Sequence, residues 1–277
     1  MTMESTAPDR YSLSKFASQP FYTAINRRLI ELCGLRPFQR VVDLGAGTGA
    51  VTRLILETMH PDKGEVVAVE PSDSALDVAR RDLQERWGVV VRFVAGPAEC
   101  LSRLVQRTAD AVVFCNAIHL IEDKRRVMHE ISESLRERGL FAFNSTFFEG
   151  AQPADTIPFY VMWVRRAMHI FREENPGVRR EKEEKSRARI QLTVDEYRQL
   201  LSDEGFGIQH LELCPVEMPL EGFQAISEYE LFARGALPGV PLATAVDCLR
   251  RGAAEAFREL KLTSVQRNWL QVVAVKS

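Results

Sequence analysis

The residues with the clearest chemical potential lie in one short stretch, where Asp43 is followed by glycine at every second position. These glycines are Gly45, Gly47 and Gly49. Glycine lets the chain adopt positive φ angles and lets a ligand approach the bare backbone. A glycine turn that opens a helix also offers unpaired N–H groups at the positive end of the helix dipole. The stretch therefore predicts a nucleotide-binding turn.

A second acid, Glu70, ends a β-branched run roughly 20 residues after this turn. A carboxylate has two oxygens, which can accept hydrogen bonds from both hydroxyls of a ribose. The spacing therefore predicts that Glu70 binds a ribose, although a surface acid at a strand end is the simpler alternative.

Later strand-like runs end in further candidates. Asn116 and His119 follow the fourth run, and Glu149 follows the fifth. An unperturbed imidazole titrates near about pH 6.5, so His119 is the first candidate for a general base. Its apolar neighbours fit a packing role equally well, and Glu149 is the second candidate.

Alternating strand-like and helix-like runs position these residues. The strand-like runs lie at about 41–44, 64–70, 89–96, 110–116 and 140–148, and helical patterns separate them. This alternation predicts a parallel sheet with helices on both faces. Ligands of such sheets bind outside the carboxyl ends of the strands, where the strand order reverses. We therefore expect the candidate residues to meet at one edge.

The remaining patterns are mostly helical. We expect a helix from Ser14 to Gly34, a helix from Asp123 to Gly139, an aromatic helix at 157–174 and two helices within 222–260. The predicted organisation is an N-terminal helical flap at 1–36, a cofactor-binding core at 37–149, a lid insertion at 150–192, and a C-terminal part of the core at 193–277 with a helical insertion at 219–264.

Aromatic residues of the flap and the lid are candidates for contacts with a substrate. An apolar chamber of this kind excludes water and suits an aromatic or lipid-like ligand better than a sugar or a nucleic acid. Core packing is the alternative for each of these residues taken singly. The candidates are Tyr11, Tyr22, Phe159, Tyr160, Trp163 and His169.

Composition narrows the class of protein. The chain has 277 residues and a net charge of −2, which gives no general attraction to nucleic acid or an anionic membrane. Its five cysteines are scattered, as is typical of reduced thiols, and no ligand cluster has the spacing of a metal site. No run is apolar enough to span a membrane, and the polar N-terminus does not resemble a signal peptide. We expect a cytoplasmic protein, and the sequence does not indicate its oligomeric state.

From Asp43 to Gly49 the chain resembles the first motif of class I S-adenosylmethionine-dependent methyltransferases, which surrounds the methionine part of the cofactor. Glu70 and Pro71 match the ribose-binding acid of that family, and Cys115 with Asn116 matches its fourth motif, beside the sulfonium. The resemblance covers about residues 38–147 and is nearest in style to the ubiquinone and menaquinone branch. The cofactor contacts that it implies are Asp43, Gly45, Ala46, Gly47, Gly49, Glu70, Pro71, Ala98, Glu99, Cys115 and Asn116.

One position departs from that branch, which usually has Asp-Ala after the third strand where this chain has Pro97-Ala98-Glu99. Either Glu99 or a backbone carbonyl would then contact the adenine. The family otherwise implies a Rossmann-like α/β fold with a seven-stranded sheet of order 3-2-1-4-5-7-6, an antiparallel last strand and helical cap insertions. It implies no metal.

The resemblance implies methyl transfer from S-adenosylmethionine to a small, apolar or aromatic acceptor by in-line displacement, as in small-molecule biosynthesis. The first alternative is an NAD-dependent oxidoreductase, because GAGTGA satisfies G-x-G-x-x-[G/A] and Glu70 fits the acid that binds the NAD ribose. The Tyr-x-x-x-Lys pair at Tyr11 and Lys15 precedes the turn, unlike in such reductases. The second alternative is a non-catalytic cofactor-binding protein of the same fold.

Overall fold

The computed structural model describes residues 11–59, 64–83, 90–106, 108–177 and 191–277. Residues 178–190, part of the predicted lid insertion at 150–192, lie outside these ranges. The strands are β1 (Arg40–Leu44), β2 (Glu65–Glu70), β3 (Val90–Ala95), β4 (Ala109–Cys115), β5 (Leu135–Ser145), β6 (Phe206–Met218) and β7 (Val265–Lys276). The α-helices are α1 (Ser14–Ala17), α2 (Pro20–Cys33), α3 (Ala50–Thr58), α4 (Asp73–Leu83), α5 (Leu101–Val105), α6 (Lys124–Ser134), α7 (Ile157–Glu174), α8 (Val194–Asp203), α9 (Leu220–Ser227), α10 (Glu230–Ala236) and α11 (Leu242–Leu260).

The chain divides into two compact units. The sheet unit comprises Thr23–Ala151, Arg187–Cys214 and Trp269–Ser277. The helical unit comprises Met1–Tyr22, Gln152–Ser186 and Pro215–Asn268.

The sheet has seven strands in the order β3-β2-β1-β4-β5-β7-β6. The five strands from β3 to β5 pair in parallel, and β7 pairs antiparallel to β5. This order confirms the predicted fold class. Because β1 continues to β2 on one side while β4 lies on the other, the strand order reverses between β1 and β4. A ligand of such a sheet binds at that reversal, outside the carboxyl ends of β1 and β4.

Both faces of the sheet are covered, because successive side chains of a strand point in opposite directions. Val42 and Leu44 of β1 belong to a buried cluster that includes residues of α5, α6 and α8. Val41, which precedes Val42 and points to the other face, belongs to a second cluster with residues of α2, α3 and α4. Strands buried on both faces are typical of a parallel sheet.

Two predicted helix boundaries were wrong. The N-terminal helix breaks after Ala17 and restarts at Pro20, because proline suits the first turn of a helix and disfavours helical conformation in the residue before it. Helix α6 ends at Ser134 rather than Gly139, and β5 begins at once. The pairing of β4 with β5 is irregular between Leu135 and Leu140, so the residues between them bulge out of the ladder.

Within the helical unit, α7 and α11 pack closely together. A Cβ atom on Gly252 would lie 2.7 Å from the backbone nitrogen of Ala167. The indole Nε1 of Trp163 donates a hydrogen bond to the Leu249 carbonyl at 2.7 Å. The rings of Phe159 and Phe257 meet edge to face at 5.2 Å. Glycine at 252 therefore allows the two backbones to approach.

This packing predicts opposite effects for two helical glycines of the same unit. Gly252→Ala should lower the free energy of unfolding by about 1–3 kcal/mol, because the new methyl group overpacks the α7–α11 contact. Gly235→Ala is the matched control: a Cβ there meets nothing within 4 Å, so the gain in helix propensity should stabilise α10 by up to about 1 kcal/mol. Urea unfolding of both variants measures the difference, and equal effects would contradict the close approach at Gly252.

Candidate active site

The glycine turn is fastened to the neighbouring strand. The backbone N–H groups of Gly45 and Ala46 both donate to the Val69 carbonyl, at 2.8 and 3.1 Å. Gly49 then caps the N-terminus of α3 with a φ of 87°. The turn is thereby held between the ends of β1 and β2, at the predicted edge.

The three glycines of the turn have different roles. A Cβ on Gly45 would lie 3.1 Å from Ala117 Cβ, and one on Gly49 would lie 2.8 Å from Leu83 Cδ1. These two positions are small because other elements pack against them. Gly47 is half-buried, with a φ of 54° and nothing within 4 Å of its Cβ position, so this side of its backbone faces open space. A ligand can approach the chain at Gly47.

Glu70 lies at the exit of β2 and its carboxylate is anchored at both oxygens. Oε2 accepts a hydrogen bond from the Gly47 N–H at 3.0 Å, and Oε1 accepts one from the Ser72 N–H at 3.1 Å. Each carboxylate oxygen can accept a further hydrogen bond. The carboxylate is therefore preorganised beside the open backbone of Gly47, where a ribose could donate both hydroxyls. Pro71 follows it as an exposed residue.

Asp43 lies beneath the turn and is almost fully buried. Its Oδ2 accepts a hydrogen bond from Thr52 Oγ1 at 2.6 Å. Burial raises the pKa of this carboxyl to about 7, against the lowering effect of the Thr52 hydrogen bond and with a further rise from the Glu70 charge. Asp43 thus orders the turn from below at an electrostatic cost.

At the exit of β4, Cys115 is buried, and burial next to Asp43 holds the pKa of its thiol well above the usual range. A protonated thiol is a poor nucleophile, so Cys115 fits a packing position beside the site.

Asn116 follows in a left-handed conformation with a φ of 48°. Its backbone N–H donates to the carbonyl and to the side-chain Oδ1 of Asn144, each at 3.0 Å. Its own Oδ1 accepts from the indole Nε1 of Trp269 at 3.1 Å, while its buried Nδ2 has no partner among the described residues. Asn144 and Trp269, which hold Asn116 in place, were not predicted from the sequence.

His119 lies in a short 3₁₀ helix, Ile118–Leu120, after β4. Its Nδ1 is 3.3 Å from the hydroxyl oxygen of Ser145, the last residue of β5. Its ring stacks on Phe147, with centroids 4.3 Å apart and planes 29° apart. The ring is therefore held at the same edge of the sheet as Asn116, with Nδ1 already occupied. Ser145 was also missed by the sequence analysis.

The other predicted site residues of the sheet unit are Ala98, Glu99 and Glu149, which lie after β3 and β5. Ala98 is buried and Glu99 half-buried in a 3₁₀ helix after β3. Glu149 is exposed, beyond the end of β5, and its backbone N–H donates to the Leu192 carbonyl at 2.9 Å. The roles of these residues stay predictions.

The predicted substrate contacts belong to the helical unit. Phe159 and Trp163 are buried in its aromatic core, and Tyr22 is buried against Phe16. The backbone carbonyl of Tyr11 accepts a hydrogen bond from the Glu230 N–H. The Tyr160 hydroxyl is buried and has no hydrogen-bond partner among the described residues. His169 is exposed, and its Nε2 lies 3.2 Å from the Glu173 carboxylate. Their contact with a substrate stays a prediction.

Comparison with known proteins identifies the segment that builds this site. Residues 41–139 match the family model described as a methyltransferase domain. This segment is a class I S-adenosylmethionine-dependent methyltransferase domain. It contains the glycine turn, Glu70, Asn116 and His119.

Two curated relatives and one solved structure illustrate the similarity. The probable S-adenosylmethionine-dependent methyltransferase CRG1 of Saccharomyces cerevisiae is 34% identical over 104 residues, which cover 37% of this chain and 34% of that protein. The ubiquinone/menaquinone biosynthesis C-methyltransferase UbiE of Legionella pneumophila is 29% identical over 131 residues, covering 46% and 52%. The chain thus spans between a third and about half of the length of these relatives. A structure of loganic acid methyltransferase with SAH superposes with a TM-score of 0.64 at 12% identity, covers 98% of both chains and shows the shared fold.

The cofactor of the methyltransferase domain is S-adenosylmethionine. The geometry fits this group: Gly47 leaves room above the turn, Glu70 is anchored to accept hydrogen bonds, and Asn116 keeps a buried donor available. The comparisons do not favour the NAD-dependent alternative. Within the described ranges no cluster of His, Cys, Asp and Glu could hold a metal ion, and no described helix is long and apolar enough to cross a membrane.

The pKa of Asp43 predicts a dependence of stability on pH. Burial raises the pKa of the folded carboxyl to about 7, whereas that of an unfolded aspartate is about 3.9, so the folded state holds an extra proton between these pH values. The free energy of unfolding should therefore fall as the pH rises through this window and level off above it. Asp43→Asn removes this loss, and its stability relative to the parent should rise by up to about 4 kcal/mol between pH 4 and pH 8.

Urea unfolding of both proteins at the two pH values measures this difference. Other titrating groups cancel because the same groups are present in both chains. A difference that does not change with pH would show that Asp43 titrates normally in the folded chain.

The open position at Gly47 predicts a selective loss of binding. Gly47→Val should abolish binding of S-adenosylhomocysteine, because the side chain would occupy the approach to the backbone and a β-branched residue resists positive φ. Gly205→Val is the matched control, since Gly205 also has a positive φ, 76°, with nothing within 4 Å, and lies outside the turn. Calorimetry should show that this control loses stability while keeping its affinity. Retained binding by Gly47→Val would place the ligand elsewhere.

Proposed function

We propose that the chain transfers a methyl group from S-adenosylmethionine to a small apolar or aromatic acceptor by in-line displacement. The observation that carries this proposal is the Glu70 carboxylate, held by the Gly47 N–H beside the open turn. It supports a ribose at β2, and the rest of the cofactor would then extend toward β4, where the strand order reverses.

The sulfonium of the bound cofactor supplies an activated methyl group. The chain's own contribution is then mainly positioning, and holding two reactants in line is worth about 7–11 kcal/mol of the barrier. The turn, Glu70 and Asn116 would fix the cofactor, while the residues after β4 and β5 would orient the acceptor. A base is needed only when the acceptor carries a proton on its nucleophilic atom.

His119 is the residue best placed to take that proton. If its Nδ1–H donates to the Ser145 hydroxyl oxygen, 3.3 Å away, the neutral ring presents Nε2 as a proton acceptor. The Ser145 oxygen also accepts from the Phe147 N–H at 3.0 Å and has a second lone pair for His119. The acceptor's proton would move to Nε2 as the acceptor bonds to the methyl carbon, the bond from that carbon to sulfur breaks, and S-adenosylhomocysteine is left. Glu149 stays the second candidate.

The apolar class of acceptor is supported by the helical unit. Ile157, Val161 and Val164 lie on one exposed face of α7, at helical spacing, and form an aliphatic surface. The relative named for ubiquinone and menaquinone biosynthesis favours a ring-bearing acceptor of limited polarity. Scattered cysteines and near-neutral charge support a cytoplasmic location.

Transfer of a labelled methyl group tests the proposal. The purified chain is incubated with S-adenosylmethionine carrying a radioactive methyl group and with an extract of small molecules from the source cells, and the products are separated by chromatography. A labelled apolar product that forms with the parent chain and not with the Gly47→Val variant supports the proposed function. Tight binding of S-adenosylhomocysteine without any labelled product would indicate a non-catalytic cofactor-binding protein.

The geometry of His119 predicts the effect of its removal. His119→Ala should lower kcat by about 10²–10⁴, with the affinity for S-adenosylhomocysteine nearly unchanged. The turnover of the parent chain should fall at acid pH, because only the neutral ring accepts a proton. Ser145→Ala should lower kcat by a smaller factor, since it removes the hydrogen-bond partner of Nδ1 but keeps the imidazole ring. A His119→Ala protein with full turnover and lower thermal stability would show a packing role.

A further inference from the structure

A chain of hydrogen bonds joins three strands below the candidate site. Trp269 of β7 donates to Asn116 after β4, and Asn116 donates from its backbone to Asn144 of β5. The Nδ2 of Asn144 then donates to Oδ1 of Asn26 in α2 at 2.8 Å. All four residues belong to the sheet unit, and each is at least nine-tenths buried. These hydrogen bonds therefore fix the four side chains in a buried environment, where polar groups need hydrogen-bond partners.

The direction of each amide in this chain follows from the chemistry of its neighbour. An indole N–H and a backbone N–H can only donate. The atom of Asn116 that faces Trp269 must therefore be the oxygen, and so must the atom of Asn144 that faces the Asn116 N–H. It follows that Nδ2 is the remaining polar atom of the Asn116 side chain, and that it points away from Trp269.

This Nδ2 is a buried donor without a partner among the described residues, on a side chain that is only 8% exposed. A buried donor without a partner destabilises the ligand-free chain, so a ligand that accepts from it gains most of a hydrogen bond without reorganising the protein.

The position of Asn116 indicates which part of the ligand it meets. The next residue, Ala117, packs against Gly45 of the turn, so Asn116 lies beside the turn on its β4 side. Glu70 lies on the β2 side of the same turn. A cofactor whose ribose is bound by Glu70 and which crosses the turn brings its methionine part to β4. That part carries a carboxylate, whose oxygens accept strong hydrogen bonds.

We propose that Asn116 Nδ2 donates a hydrogen bond to the methionine carboxylate of the cofactor, and that Trp269 is the positioning residue that turns this amide toward it. The proposal rests on the proposed function. It adds a recognition element for the amino-acid part of the cofactor, built from residues that are distant in sequence.

Two adenosine thioethers test this directly. S-adenosylhomocysteine carries the carboxylate, whereas 5′-methylthioadenosine keeps the adenosine and the sulfur but lacks the amino-acid part. Asn116→Asp keeps the oxygen that Trp269 needs, tolerates the left-handed backbone and replaces the donor by a negative charge. By calorimetry it should lower the affinity for S-adenosylhomocysteine about 10- to 100-fold and change that for 5′-methylthioadenosine less than threefold.

Asn116→Gly separates the lost donor from the added charge. Glycine also accepts positive φ, and this variant should lose a smaller part of the affinity for S-adenosylhomocysteine only. Binding of 5′-methylthioadenosine reports in each variant that the adenosine site is still folded.

The positioning role of Trp269 has its own matched control. Trp269→Phe removes the N–H that orients Asn116 and should weaken S-adenosylhomocysteine selectively, by about three- to tenfold. Trp163→Phe also removes a buried indole N–H, but that group donates to the Leu249 carbonyl in the helical unit. It should lower stability and leave the ratio of the two affinities unchanged.

NMR of the indole N–H groups distinguishes a positioning role of Trp269 from a purely structural one, because only the first predicts a change in its signal on ligand binding. In protein labelled with ¹⁵N at the indole nitrogen, the signal assigned to Trp269 by its loss in Trp269→Phe should shift on addition of S-adenosylhomocysteine, because a ligand on Nδ2 polarises the amide and its Oδ1. It should shift less with 5′-methylthioadenosine, and the Trp163 signal should not respond.

The outcomes are separable. If neither thioether binds the parent chain, the proposed function fails along with this inference. If both bind but both weaken equally in Asn116→Asp, or neither weakens, the amide serves the fold alone and the proposal is overturned. A rise in affinity for S-adenosylhomocysteine would place the ammonium group, not the carboxylate, at Asn116 and would also overturn it.

Discussion

The hydrogen bond from the Gly47 N–H to the Glu70 carboxylate joins the turn after β1 to the exit of β2, and the arrangement of the site depends on it. It fixes an acceptor next to the one glycine of the turn whose Cβ direction is open. Gly45 and Gly49 contribute differently, because their missing side chains let β4 and α4 close on the turn. A single motif thus combines a binding surface with two packing contacts, which is why its glycines are not interchangeable.

The site is also where the sheet unit tolerates unfavourable electrostatics. Asp43 is buried with one hydroxyl partner, and Asn116 keeps a buried donor without a described partner. Each feature lowers the stability of the ligand-free chain. A ligand that satisfies the donor recovers part of that free energy as affinity, so the same residues that weaken the fold strengthen recognition. A buried donor left unsatisfied beside a binding turn is typical of a functional site.

The parts of the site that are local in sequence could be predicted. Residue type and spacing predict the glycine turn and the role of Glu70, and the alternation of strand-like and helix-like runs predicts the sheet. The supporting residues could not be found in this way: Asn144 and Asn26 are 118 residues apart, and Trp269 and Asn116 are 153 apart. The contact between Trp269 and Asn116 depends on β7 entering beside β5, and that between Asn144 and Asn26 joins β5 to α2. No local sequence pattern encodes either hydrogen bond. The early end of α6 was missed for a related reason, since pairing of Leu135 with Ala109 overrides helical periodicity.

Two buried tryptophans show why residue type alone does not predict the role of a side chain. Both donate from Nε1, at 2.7 Å for Trp163 and 3.1 Å for Trp269. The partner of Trp163 is a backbone carbonyl of α11, so its hydrogen bond joins two helices and ends there. The partner of Trp269 is a side-chain amide with two donors of its own, so that hydrogen bond fixes the direction in which a further donor points. The same residue type therefore stabilises packing in the helical unit and orients a candidate ligand group in the sheet unit. The difference lies in the partner, which only the three-dimensional structure supplies.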